Sequence, residues 1–373
     1  PLERYPSVTV IRPIKGLDAG AEANMRAALD HGYPGDVETI FVFDDEHELA
    51  LPVARKVMHE ADKAGLSGEY RVVFCGAPPA GRTGKLNAMI VALRQAQNEL
   101  IVFADSDIRP DRHGLESLVA TVLEDDEAGS AFAPVVVTPR ARTVGDAGYA
   151  LLLNGMYSPA AELAARRSGE KLPFIMGQFM VFRREALAAI GGLESAEGQF
   201  VDDMYLGARI TAAGYENRVS SQRVPIIQHG VSTREFVSIY DRWLTFGRTG
   251  LPDWAFKLPP ALQGAVFWIG LLGAGISAAL GLWFAAALLA LAPLAVAQSM
   301  TALHSRLGGA RPTWRTYLGA LLVMGLAPVV FFGVYFKSEV TWRGRSYKLN
   351  GDSRLAEGNA LAPDELRVNR SMS

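Results

Sequence analysis

The chain has 373 residues, 49% hydrophobic and 20% charged, with Lys+Arg 37 against Asp+Glu 39 and a formal net charge of -2. That near-balance lacks the basic footprint of a nucleic-acid binder, so no nucleic-acid partner is expected. The composition excludes disorder and collagen. A single cysteine, Cys75, excludes an internal disulfide and a cysteine-based zinc site.

Through the first 255 residues, short β-rich runs alternate with helix-like stretches. Strands are expected at Val8 to Ile11, Glu38 to Phe43, Tyr70 to Phe74, Leu100 to Ala104 and Ser130 to Val137. Between them Ala21 to His31, Glu48 to Ala64 and Lys85 to Gln97 have helical spacing. This alternation predicts an α/β layer with a mostly parallel sheet. Ala147 to Ala161 carries no charge, and the segment Thr143 to Ala165 is expected to lie on a membrane interface. Ala261 to Met300 holds forty residues without Asp, Glu, Lys or Arg. A membrane span needs about 20, so two spans are expected, turning near Gly281. Thr316 to Phe336 is a third uncharged run, and Trp254 and Trp342 flank the whole segment as candidate interfacial anchors. A polar, loose tail is expected after Asn350. Only 8 of the 37 basic residues are Lys, a skew that points to a GC-rich bacterial genome.

Five motifs carry candidate chemistry. Asp105-Ser106-Asp107 ends an apolar strand, where open α/β sheets bind ligands. Its carboxylates suit Mg²⁺ or Mn²⁺ with a diphosphate, or serve only local turn bonding. Asp44-Asp45 also ends a strand and either accepts from a nucleobase or ribose or is a solvated loop. Gly81-Arg82-Thr83-Gly84-Lys85 opens a helix but is not a P-loop, because Pro79 and Leu86 stand at required Gly and Ser/Thr positions. Arg82 and Lys85 near that helix start suit phosphate, or the motif is a plain helix start with a solvated Lys. Asp202-Asp203 opens another helix, either as dipole stabilisers or with one as general base. Arg242-Trp243 precedes the first apolar run, as an interfacial anchor or as a cation and aromatic closing an active site.

In this order the motifs resemble an inverting family-2-type glycosyltransferase of GT-A fold. They are most similar to ceramide glucosyltransferases and bacterial hopanoid glycosyltransferases. Val8-Thr-Val-Ile-Arg-Pro-Ile-Lys-Gly-Leu-Asp18 and Val340-Thr-Trp-Arg-Gly-Arg-Ser-Tyr-Lys-Leu349 are similar to that family's opening and post-membrane segments. The resemblance implies Pro13, Asp44, Lys85 and Asp105 as nucleotide-sugar contacts. It implies Asp105 and Asp107 at the metal, Asp203 as base with Asp202 beside it, and Arg242 and Trp243 as the Arg-Trp pair. Gln178 and His229 stand at further matching positions. Ile239 stands where the family has Gln or Arg, and Ser158-Pro159 where ceramide enzymes have His-Pro.

The expectation is a metal-dependent hexosyltransferase that uses a UDP-sugar and a ceramide- or hopanoid-like lipid hydroxyl. The alternatives are a processive polysaccharide synthase and a non-catalytic membrane protein with a nucleotide-sugar fold. The expected division is a cytoplasmic GT-A domain over 1–255, transmembrane helices over 256–336 and a tail over 337–373, in a bacterial inner membrane. Topology stays open at this stage. Three crossings would put Lys337, Arg343, Arg345 and Lys348 outside, against the positive-inside rule, so either the tail is an exception or one apolar segment does not cross.

Overall fold

The computed structural model of the chain describes residue 2, residues 4–350 and residues 354–356. In chain order the strands are β1 (Val8–Pro13), β2 (Val37–Phe43), β3 (Glu69–Phe74), β4 (Leu100–Ala104), β5 (Ala128–Phe132), β6 (Val135–Val137), β7 (Phe179–Arg183), β8 (Glu216–Val219), β9 (Val224–Ile226), β10 (Glu339–Trp342) and β11 (Arg345–Lys348). The helices are α1 (Ala21–Leu29), α2 (Leu51–Ala64), α3 (Gly84–Leu93), α4 (Gly114–Leu123), α5 (Val144–Leu152), α6 (Ser158–Arg167), α7 (Arg184–Ala189), α8 (Asp202–Ala212), α9 (Thr233–Gly250), α10 (Asp253–Ala279), α11 (Trp283–Arg306) and α12 (Trp314–Phe336). The polar tail expected beyond Asn350 lies, apart from residues 354–356, outside the described residues.

The chain forms two compact units. The first takes the residues up to Val135, Glu162–Ile227 and the segment from Ser338, so it is not the continuous stretch 1–255. Its seven-stranded sheet has the order β3-β2-β1-β4-β7-β5-β8. β3, β2, β1 and β4 run parallel, while β7 lies antiparallel between β4 and β5. β1 and β4 are apolar and buried on both faces, as strands covered on both sides must be. Strand order reverses at the β1–β4 pair, which opens a crevice outside their carboxyl ends. Ser130 to Val137 does not run as one strand. Pro134, which has no N–H to give a ladder, separates β5 from β6. β7 is a strand the sequence did not signal.

The second unit takes Val136–Ala161 and Gln228–Lys337. α10, α11 and α12 are each long and apolar enough to cross a membrane. α10 and α11 present exposed Ile269, Leu271, Ile276, Phe284 and Leu288, surface suited to lipid rather than water. The turn between them uses Gly281 at φ 73°. The segment from Thr143 differs from expectation. Its first helix, α5, is buried along Gly145–Leu152 rather than lying on an interface. Thr143 and Asp146 cap it reciprocally, and Asp146 Oδ1 also accepts from Val231 N–H at 2.7 Å. Gly319 of α12 lies so close to Ala147 that a Cβ there would stand 2.7 Å from the alanine Cβ. Close approach of small residues, not an amphipathic face, explains the uncharged run.

Candidate active site

Each candidate side chain of the first unit sits at a strand end or a helix start. Asp44 follows β2 and Lys15 follows β1. Lys15 Nζ lies 2.6 Å from Asp44 Oδ2 and also pairs with Glu48. Pro13 closes β1 in register with Val42 of β2. Lys85 lies in the first turn of α3, which Thr83 caps by accepting from Leu86 N–H at 3.1 Å. Its ammonium reaches Asp105 Oδ1 at 2.6 Å and donates to the Gly177 carbonyl at 2.8 Å. Burial opposes that charge, but Asp105, Asp202 and Asp203 hold the Lys85 pKa above its ordinary value.

The turn after β4 is held by backbone contacts. Asp105 N–H donates to the Gln178 carbonyl at 2.8 Å. Arg12, buried at the end of β1, donates to the carbonyls of Asp105 at 2.7 Å, Ile108 at 3.0 Å and Asn24 at 3.1 Å. Burial pulls its pKa down to about 10. Asp107 is pushed up to about 6 by burial and then by Asp105 and Asp18. This concentration of negative charge invites a cation. The donor set suits Mg²⁺ or Mn²⁺, which take one or two carboxylates and complete their shell with water and phosphate oxygens. Among the described residues no third His, Cys, Asp or Glu completes a protein cage.

Asp202 and Asp203 stand in the first turn of α8. Asp203 Oδ2 accepts from Gly177 N–H at 2.7 Å and Oδ1 from Met204 N–H at 2.8 Å. A Cβ at Gly177 would stand 2.6 Å from Asp203 Oδ2, so only glycine permits this approach. Asp203 remains partly exposed, whereas Asp202 is buried with Oδ2 unpartnered. Both pKa values are raised, first by burial; Asp203 reaches about 6, with Asp202 as second cause. Two neighbouring carboxylates disfavour each other's ionised form, and Lys85 opposes that shift.

The structure thus brings Asp44, Lys85, Asp105, Asp107, Gln178, Asp202 and Asp203 into one unit. Gln178 contributes its carbonyl, while its buried side-chain Oε1 has no partner. Arg242, Trp243 and His229 belong to the second unit. There Trp243 packs against Tyr149 and Tyr157, with ring centroids 5.3 and 5.8 Å apart. Asp241, beside Arg242, pairs with Lys337.

Several functional groups escaped the sequence reading. Arg345 Nη2 lies 2.6 Å from Asp44 Oδ2, Arg343 pairs with Asp18, and Tyr347 Oη accepts from Gly84 N–H at 3.1 Å. All three lie on the β10–β11 hairpin. Trp342, expected as a candidate membrane anchor, packs edge-on against Phe200, with centroids 6.4 Å apart. The available signal was the cluster of Lys337, Arg343, Arg345 and Lys348 after the last apolar run; the sequence reading weighed those cations for topology and the segment for its family resemblance, and assigned neither Arg343 nor Arg345 a partner.

The pattern of Glycosyl transferase family 21 matches residues 1–355. Ceramide glucosyltransferase 3 of Caenorhabditis elegans is 25% identical over 251 residues, covering 66% of this chain and 52% of that relative. Ceramide glucosyltransferase 1 of the same organism is 24% identical over 253 residues, covering 64% and 49%. The chain therefore spans about half the length of these relatives. A mannosyltransferase from Pyrobaculum calidifontis, solved in complex with GDP-Man and Mn2+, superposes with TM-score 0.51 at 20% identity, covering 87% of this chain and 88% of that one. That likeness speaks for the fold, a GT-A-like mostly parallel α/β domain. With a family pattern running from ahead of β1 through the post-helical hairpin, the chain belongs to glycosyl transferase family 21.

Proposed function

We propose that the chain is a membrane-bound inverting hexosyltransferase that moves one sugar from a UDP-sugar to a lipid hydroxyl of ceramide or hopanoid type. The observation that carries this reading is the convergence of Asp44, Lys85, Asp105 and Asp203 in one unit, around the strand-order reversal. Asp44 receives the nucleoside. Lys85 and the first turn of α3 face the diphosphate. Asp105 and Asp107 would hold Mg²⁺ or Mn²⁺, which supplies charge neutralisation for the leaving diphosphate. Asp203, fixed by two backbone amides and still partly exposed, takes the acceptor hydroxyl proton. The acceptor oxygen then bonds to the anomeric carbon from the face opposite the departing diphosphate, so UDP leaves and the configuration inverts. For Arg242 and Trp243, which lie in the second unit, an acceptor-related role is proposed from the resemblance to the family's Arg-Trp pair alone.

The lipid acceptor is supported by the curated relatives and by the exposed apolar faces of α10 and α11. Purified protein should release UDP and form a monohexosyl lipid in membranes, read by mass spectrometry. A water-soluble sugar serving as a better acceptor, or a product carrying a polymer, would overturn this reading.

The same fold supports a proposal for the topology. The chain leaves the first unit after Ile227 and re-enters it at Ser338. Residues of one folded unit share one side of a bilayer, so an even number of passes must separate them. On this reading the three apolar helices do not all cross. Within a bacterial inner membrane, a cytosolic donor places both ends of this excursion in the cytoplasm. In sealed vesicles of a Cys75→Ser background, Glu46→Cys and Thr341→Cys should react with an impermeant maleimide from the same face. Labelling from opposite faces would sink the even-pass topology.

A further inference from the structure

The β10–β11 hairpin enters the donor side of the first unit from beyond α12. Arg345 is its most buried cation. Its side chain is 8% exposed and that of its partner Asp44 10%. Arg345 Nη2 and Lys15 Nζ both lie 2.6 Å from the same oxygen, Asp44 Oδ2. Among the described residues the other oxygen, Oδ1, receives only the weak thiol donor of Cys75 at 3.8 Å. A carboxylate so held has one oxygen anchored and one free to accept a hydrogen bond. The anchor is itself braced. A Cβ at Gly84 would collide with the Arg345 guanidinium, and Gly84 N–H donates to Tyr347 Oη at 3.1 Å. Tyr347 packs on Phe200 with centroids 5.7 Å apart.

We infer that Arg345 is a positioning residue for donor recognition: it fixes Asp44 so that Oδ1 accepts an imide N–H of the nucleobase. This rests on the reading of Asp44 as the nucleoside contact proposed above. The chemistry gives a selective readout. Uracil carries an N–H at N3 whereas cytosine presents a bare nitrogen there, so a correctly aimed carboxylate favours UDP over CDP. A hairpin that merely supports the fold would affect both nucleotides alike.

The test is UDP and CDP binding by calorimetry on the full chain in detergent with Mn²⁺. Arg345→Ala should weaken UDP about tenfold or more, the scale of one charge-assisted hydrogen bond, and leave weak CDP binding nearly unchanged. Arg345→Lys, which restores a cation, should recover most of the UDP affinity. Unchanged or tighter UDP binding by Arg345→Ala, or equal loss for both nucleotides, overturns the assignment. Asp44→Asn separates the two claims. If it leaves UDP binding intact, the nucleoside reading of Asp44 fails. If it weakens UDP while Arg345→Ala does not, only the role of Arg345 fails. Should Arg345→Ala not fold, Arg345→Gln keeps a donor on a similar stem and takes its place. Loss of fold in both makes Arg345 a structural latch and also overturns the inference.

Discussion

Asp203→Asn should leave a folded protein that still binds donor but transfers sugar to lipid about 10²–10⁴-fold more slowly, the usual worth of a general base. The change keeps the size and removes the basicity. It also sets an amide NH₂ against Gly177 N–H or Met204 N–H, so a stability loss of about 1 kcal/mol accompanies it. That loss is too small to imitate the kinetic defect and is checked by thermal unfolding. Asp202→Asn should cost less, because Asp202 is buried while Asp203 remains reachable. The pH dependence follows from the raised pKa. Asp203 reaches about 6, so it becomes protonated as pH falls through that value. A proton-bearing carboxyl cannot act as base, so turnover in the wild type should decline below about pH 6 and level off above it. Single-turnover transfer with donor binding measured in parallel decides the matter. Near-normal transfer by Asp203→Asn, or a larger defect from Asp202→Asn, would move the base elsewhere.

Asp105→Ala should abolish the metal dependence of donor binding. In the wild type a chelator should weaken UDP-sugar binding, and Mg²⁺ or Mn²⁺ should restore it. In the variant, binding should be weak with or without metal, with metal affinity down by at least about 10²-fold, since even outer partners of metal ligands are worth 10–100-fold. The variant also strips Lys85 of its 2.6 Å partner. Asp105→Asn keeps a polar oxygen beside the ammonium and separates loss of the ion pair from loss of the metal ligand. Undiminished donor affinity and an intact chelator response in both variants would remove Asp105 from the metal.

Much of the frame was legible in the sequence. β4 was placed residue for residue because a central strand buried on both faces reads as a short continuous apolar run. The α10–α11 hairpin was legible because forty uncharged residues leave few alternatives to membrane helices. β7 escaped because its Phe-Met-Val-Phe core is too short to show a period and its antiparallel place is set by β4 and β5. Around the site, Asp44, Lys85, Asp105 and Asp203 were legible as polar residues at strand and helix ends. Arg12 was not, because a buried guanidinium serving three carbonyls looks in sequence like any strand-terminal cation. Burial of the Thr143–Leu152 helix was missed for a related reason. A helix apolar all round and one lying flat on lipid share a composition, and only partners such as Gly319 distinguish them.

The Asp44–Arg345 contact joins residues separated by 301 positions. On a ribosome, Asp44 emerges long before its guanidinium partner exists. At about 5–20 residues per second, that gap is some tens of seconds. During it all three apolar helices are made, and of the two cations that pair with Asp44 only Lys15 is yet present. The last cation to arrive is carried by the segment that follows the final apolar helix. Closure of the Asp44–Arg345 bridge therefore requires that all three long apolar helices have already been synthesised. A polypeptide stalled within those helices would hold the sheet and the strand-end carboxylates, yet lack the guanidinium that anchors Asp44. Order of synthesis thus makes this bridge a late contact, formed only when the chain beyond α12 has folded back onto the sheet.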